Sequence, residues 1–129
     1  MNILIIDDPS VCQMLSHILK LLYGECDITS VSDLTMAKQV LGESFAGRNN
    51  KFRLIITGLD RGNGDDGLRL MRYLKTVDPK KIKKTDVVLY CTAPTVETIA
   101  DAKRLGALAV IEKGIDNFYD KIKALEIKS

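Results

Sequence analysis

Residues able to ligate a transition metal or staple a fold are scarce. Among 129 residues there is one histidine, His17, and three cysteines, Cys12, Cys26 and Cys91. An odd number of thiols without a close-set pair gives neither a disulfide framework nor a zinc knuckle, so buried, reduced cysteines are expected. His17 falls on the polar side of a helical pattern with no second histidine or cysteine placed to join it, which marks a solvated residue. Long apolar runs are missing too. No stretch approaches the span of a transmembrane helix, and the amino terminus lacks the basic and apolar regions of an export signal. A cytoplasmic protein with no membrane association is expected. Nor does one sign of charge dominate: the formal charge is +2, too small to argue for a nucleic-acid partner.

What is present fits one globular domain over residues 1–129, long enough for one substantial core and too short for two ordinary ones. The chain is organised around Met1 to Pro9. Ile3-Leu4-Ile5-Ile6 has no polar alternation, as in a strand covered on both faces, and it stops at two adjacent carboxylates, Asp7 and Asp8. Two neighbouring acids at a buried strand end repel each other unless a cation or polar crevice compensates, and a hard divalent ion with oxygen ligands is the natural candidate. The plainer alternative is that Asp8 or Ser10 caps the next helix, with Pro9 in its first turn.

That helix is expected from Ser10 to Tyr23, with Val11, Met14, Leu15, Ile18, Leu19 and Leu22 inward and Gly24 ending it. Cys26 to Val31 reads as a short strand. A helix capped by Ser32 or Asp33 then runs to about Leu41, and Gly42 to Lys51 reads as a polar loop. Leu54-Ile55-Ile56-Thr57 is a second apolar strand, followed by a segment rich in glycine and acid, Gly58 to Gly67. Leu68, Leu70, Met71 and Leu74 mark a helix capped by Asp65 or Asp66 and closed by Pro79. The run Lys80, Lys81, Lys83 and Lys84 reads as a solvated loop. Val87 to Tyr90 is a further strand, and Pro94 is placed to open a helix to about Leu105, ended by Gly106. Leu108 to Ile111 is the last strand, and Ile115, Phe118, Ile122 and Leu125 stripe a final helix.

Five strand–helix alternations are the pattern of an α/β protein, a parallel sheet with helices on both faces. Ligands of such sheets bind at the carboxyl ends of the strands. Those ends carry Asp7 and Asp8, then Thr57 to Asp60, then Thr92, then Lys113. Acids, a hydroxyl and a cation on one edge suit a metal ion and a phosphoryl or carboxyl group.

At this point the chain resembles, over nearly its whole length, a receiver domain of bacterial two-component response regulators. The resemblance rests on Ile3 to Asp8 as first strand and acid pair, Asp66 to Met71 as the start of the third helix, Val88 to Ala93 as fourth strand and switch hydroxyl, and Gly106 to Lys113 as fifth strand and lysine. It implies a flavodoxin-like five-stranded sheet in the order 2-1-3-4-5. It also implies that Asp7 and Asp8 help hold Mg²⁺, that Thr92 turns toward phosphoryl oxygens and that Lys113 pairs with them.

The aspartate that would end the third strand and accept the phosphoryl group does not carry over: Gly58 stands there. The nearest carboxylate, Asp60, is two residues on, displaced by roughly 6.7 Å in an extended chain. The resemblance gives the Asp60 position a backbone carbonyl on the metal, to which its carboxylate could be added. Lys113 is followed by Gly114 where the family usually has proline after a cis bond, and Val110 replaces an aromatic that commonly couples the pocket to the output face. The expectation is a stand-alone receiver-like module, not an enzyme. It would lack the usual phosphoacceptor and act by binding a protein partner, a histidine kinase or a downstream signalling protein. Two alternatives are a working phosphoreceiver using Asp60 and, more remotely, a small phosphohydrolase of the haloacid dehalogenase type. An aspartate introduced at Gly58 is expected to restore phosphorylation.

Overall fold

The structure is a computed structural model that describes residues 1–47, 52–58, 65–77, 80 and 84–128. Its strands are β1 (Asn2–Ile6), β2 (Asp27–Val31), β3 (Leu54–Thr57), β4 (Asp86–Cys91) and β5 (Ala109–Glu112). The described helices are α1 (Pro9–Tyr23), α2 (Leu34–Ala46), α3 (Asp65–Leu74), α4 (Val96–Arg104) and α5 (Phe118–Ala124). All strand pairs are parallel and the spatial order is β2-β1-β3-β4-β5, as the resemblance implies.

Alternation along the strands divides the core in two. Ile3 and Ile5 of β1, Leu54 and Ile56 of β3, and Val88 and Tyr90 of β4 pack with Leu15 and Leu19 of α1 and Ile122 of α5. Leu4 and Ile6, Ile55, and Val87 and Leu89 pack on the other face with Leu41 of α2, Leu70 and Met71 of α3 and Ala102 of α4. Ile3 to Ile6 are thus almost wholly buried although they point alternately to opposite faces, which is why β1 needs no polar positions. Register then aligns the strand ends: Ile6 lies beside Val31 and Thr57, Thr57 beside Leu89, and Cys91 beside Glu112.

Several local expectations change. α2 continues through Gly42 to Ala46, so the first half of the expected loop is helix. Ser44 is buried within it, and Gly47 ends it by donating its N–H to the Glu43 carbonyl. Asp8 occupies the N-cap position of α1 but its side chain makes no capping bond, whereas Asp33 accepts from Met36 N as expected. α3 already begins at Asp65, which places Asp66 inside the first turn rather than at the cap. Pro94 does not open α4; Thr95 does, accepting from Thr98 N at 3.0 Å. Met14 and Ile115, read as inward, are 46% and 76% exposed, Ile115 because the last helix starts three residues later, after its N-cap Asn117. Gly62 to Gly64, Pro79, Lys81 and Lys83 lie outside the described residues. Among the described residues no helix is long and apolar enough to cross a membrane.

Candidate functional site

The strand ends bring Asp7, Gly58 and Lys113 into contact. Asp7 follows β1 and is 1% exposed, whereas its neighbour Asp8 is exposed. The Asp7 carboxylate is used internally: Oδ1 accepts the Asp8 amide at 2.7 Å, and Oδ2 lies 2.9 Å from Lys113 Nζ. The second contact is an ion pair. The Asp7 carbonyl accepts from Cys12 Sγ, 3.4 Å away in the first turn of α1. Burial pushes the Asp7 carboxyl above its ordinary pKa, against the opposing pull of Lys113 and of the Asp8 amide.

Gly58 continues the β1–β3 ladder one residue past Thr57, donating to the Ile6 carbonyl at 2.7 Å. Its carbonyl accepts from Lys113 Nζ at 2.8 Å. A Cβ on this glycine would stand 2.0 Å from Asp7 Oδ2 and 2.9 Å from the Tyr90 carbonyl oxygen. The space of a side chain at position 58 is therefore filled by the Asp7 carboxylate. An aspartate there cannot simply restore the family's arrangement, because Asp7 and the β4 backbone would first have to move.

Lys113 reaches the pocket from the β5–α5 loop. Its own N–H donates to the Cys91 carbonyl at 2.8 Å, extending the β4–β5 ladder. Gly114 turns the chain at φ 78°, a left-handed conformation that favours glycine. Asp116 closes the loop, giving its N–H to the Glu112 carbonyl and taking the Glu112 N–H on Oδ2, both at 2.9 Å. With no cis peptide among the described residues, this turn aims the lysine at Gly58 in the place where the family uses proline.

Tyr90 was not singled out from the sequence. Its ring lies under Lys113, with the ammonium 5.2 Å from the centroid, and meets Phe118 of α5 edge-on at 5.1 Å and 63°. A cation over an aromatic face gains about 0.5–2 kcal/mol, so the ring helps hold the lysine inward. The available signal was an aromatic side chain ending an otherwise aliphatic strand. Thr92 follows β4 on the same edge with its side chain exposed, and the next residue, Ala93, has φ 45°. Asp60 lies outside the described residues.

The described residues do not gather around Mg²⁺ in the manner the resemblance implies. Among the described residues no three histidine, cysteine or acidic side chains gather as a metal cage. Of the carboxylates meant for the ion, Asp7 has turned toward Lys113, Asp8 is exposed at the surface, and position 58 contributes only a carbonyl already bound by the ammonium.

The architecture is the doubly wound, flavodoxin-like class with its polar site at the carboxyl edge of the sheet. Within that class it is the fold of response regulator receiver domains. The chain superposes on the chemotaxis response regulator CheY4 of Vibrio cholerae with a TM-score of 0.72 at 18% identity, covering 96% of this chain and 97% of that one. For the signal receiver domain of a DNA binding response regulator (merR) from Colwellia psychrerythraea 34H the TM-score is 0.75 at 23% identity, covering 97% of both chains. A two-component response regulator from Clostridium difficile gives 0.72 at 23% identity, covering 97% of this chain and 94% of that one. No family model matches the sequence, and no curated protein matches it.

Proposed function

We propose that this chain is a receiver-like signalling module of the two-component type that works by protein–protein interaction and is not phosphorylated at the usual position. The observation that carries this reading is the third strand end. Gly58 has no group to phosphorylate, and the volume a nucleophile would need holds the Asp7 carboxylate, tethered to Lys113. A phosphoryl group carries its own negative charge, so accepting one here would mean breaking the pair that neutralises a buried acid. The partner is a protein, either a histidine kinase or a downstream signalling protein, in the cytoplasm, and the domain performs no turnover of its own.

Incubation with Mg²⁺ and acetyl phosphate, followed by intact-mass measurement, tests the proposal. The expected spectrum is that of the unmodified chain. A stoichiometric phosphoryl adduct that disappears in Asp60→Ala would replace this reading with that of a phosphoreceiver using a displaced acceptor.

A further inference from the structure

A buried carboxylate needs a cation, and the fold family supplies one from solvent as a divalent ion. Here the chain supplies its own. Lys113 Nζ is 2.9 Å from Asp7 Oδ2, 2.8 Å from the Gly58 carbonyl and 5.2 Å from the Tyr90 centroid, so among the described residues at least these groups hold the ammonium. Two of them, a carboxylate oxygen and a strand-end carbonyl, are the oxygen donors a hard cation would seek. The Lys113 side chain is only 20% exposed, and Asp7 is 1% exposed. Asp7 Oδ2, moreover, points into the space above Gly58 rather than toward solvent, where Asp8 could share an ion with it. We propose that the Lys113 ammonium is the resident cation of the acid pocket and that it excludes divalent metal ions. The domain would then be indifferent to Mg²⁺, whether or not it is ever phosphorylated.

Binding in the pocket is competitive. A divalent ion entering the pocket must displace an ammonium already bound to the Gly58 carbonyl and to Asp7, and among the described residues it would find two carboxylates there, Asp7 and the exposed Asp8. Removing the ammonium removes the competitor while leaving Asp7, Asp8 and the Gly58 carbonyl in place.

The test is Mn²⁺ titration of ¹⁵N-labelled protein, following the Asp8 and Gly58 amide resonances. For the wild-type chain these should broaden no more than exposed amides elsewhere, and MgCl₂ should shift its melting temperature no more than NaCl at equal ionic strength. Lys113→Met should gain at least about tenfold in Mn²⁺ affinity, equivalent to roughly 1.4 kcal/mol. Saturable, localised broadening in the wild type, competed by Mg²⁺, overturns the proposal. So does a folded Lys113→Met that binds no better than wild type, since the ammonium would then not be the excluding group. Should that variant fail to fold, the wild-type resonances decide alone. Metal binding and phosphoryl adduct formation are separate readouts, so failure here leaves the interaction-module reading to its own test.

Discussion

Replacing Lys113 by methionine keeps the stem that covers Tyr90 but deletes the ammonium beside Asp7. At 2.9 Å, with an effective dielectric constant of about 20, the lost attraction has a ceiling of roughly 6 kcal/mol. The chain has an escape, because Asp7 can take up a proton. For a carboxyl with an ordinary pKa of about 3.9 that costs roughly 4 kcal/mol at pH 7, and removal of one partner of a buried pair typically costs about 3–5 kcal/mol. The expected loss at pH 7 is therefore about 3 kcal/mol. It should shrink as the pH falls, since each unit lowers the cost of protonation by about 1.4 kcal/mol. Urea unfolding at pH 7 and pH 4.5, with unchanged slope against denaturant, measures both terms. The double variant Asp7→Asn with Lys113→Met, which removes both charges, should recover most of the loss. A Lys113→Met variant within about 0.5 kcal/mol of wild type at pH 7, or one whose deficit is the same at pH 4.5, would refute the assignment of Asp7 and Lys113 as a coupled buried pair.

Asp7→Asn alone should flatten the acid limb of the stability curve. Because burial raises the folded-state pKa of Asp7, the native chain binds more protons than the unfolded one, so this group lowers stability as pH rises from below its ordinary value through its raised one. Chemical denaturation of wild type and variant between pH 3 and pH 7 should show that decline only in the wild type. Gly58→Ala introduces a Cβ against Asp7 and the Tyr90 carbonyl, and should cost about 1–3 kcal/mol, read as a fall in melting temperature of roughly 4–12 °C. Thr95→Ala removes the cap of α4 and should cost about 1 kcal/mol without altering the pocket, a control for indirect effects. No turnover of a generic aryl phosphate is expected; measurable, Asp7-dependent hydrolysis would reopen the phosphohydrolase alternative.

The fold was legible because burial on both faces leaves a plain mark. Ile3 to Ile6 and Leu54 to Ile56 show unbroken apolar runs, and helical stripes such as Leu68, Leu70, Met71 and Leu74 follow them. Helix ends were less legible. Gly42 and Glu43 look like loop residues, yet α2 carries them because Leu41 and Ser44 on the same helix are buried. Of the pocket, sequence order could place Asp7, Gly58, Thr92 and Lys113 on one edge. It could not tell which of the two adjacent acids turns inward, because that is decided by the β1 alternation, and Ile3 to Ile6 are apolar on both faces. Nor could it show that Asp7 moves into the volume left by Gly58, a matter of ångströms in three dimensions. Tyr90 escaped notice for a related reason: its role comes from a loop that folds Lys113 back over it.

The fit of the Asp7 carboxylate over Gly58 couples two positions. A side chain at position 58 would stand against Asp7 Oδ2 and the Tyr90 carbonyl, so this position gains one only if both shift. Asp7 would have to leave Lys113 first, which breaks the pair that neutralises a buried acid. On the proposed reading the two positions change together or not at all, and change that leaves the pocket intact falls on the binding surfaces of the domain.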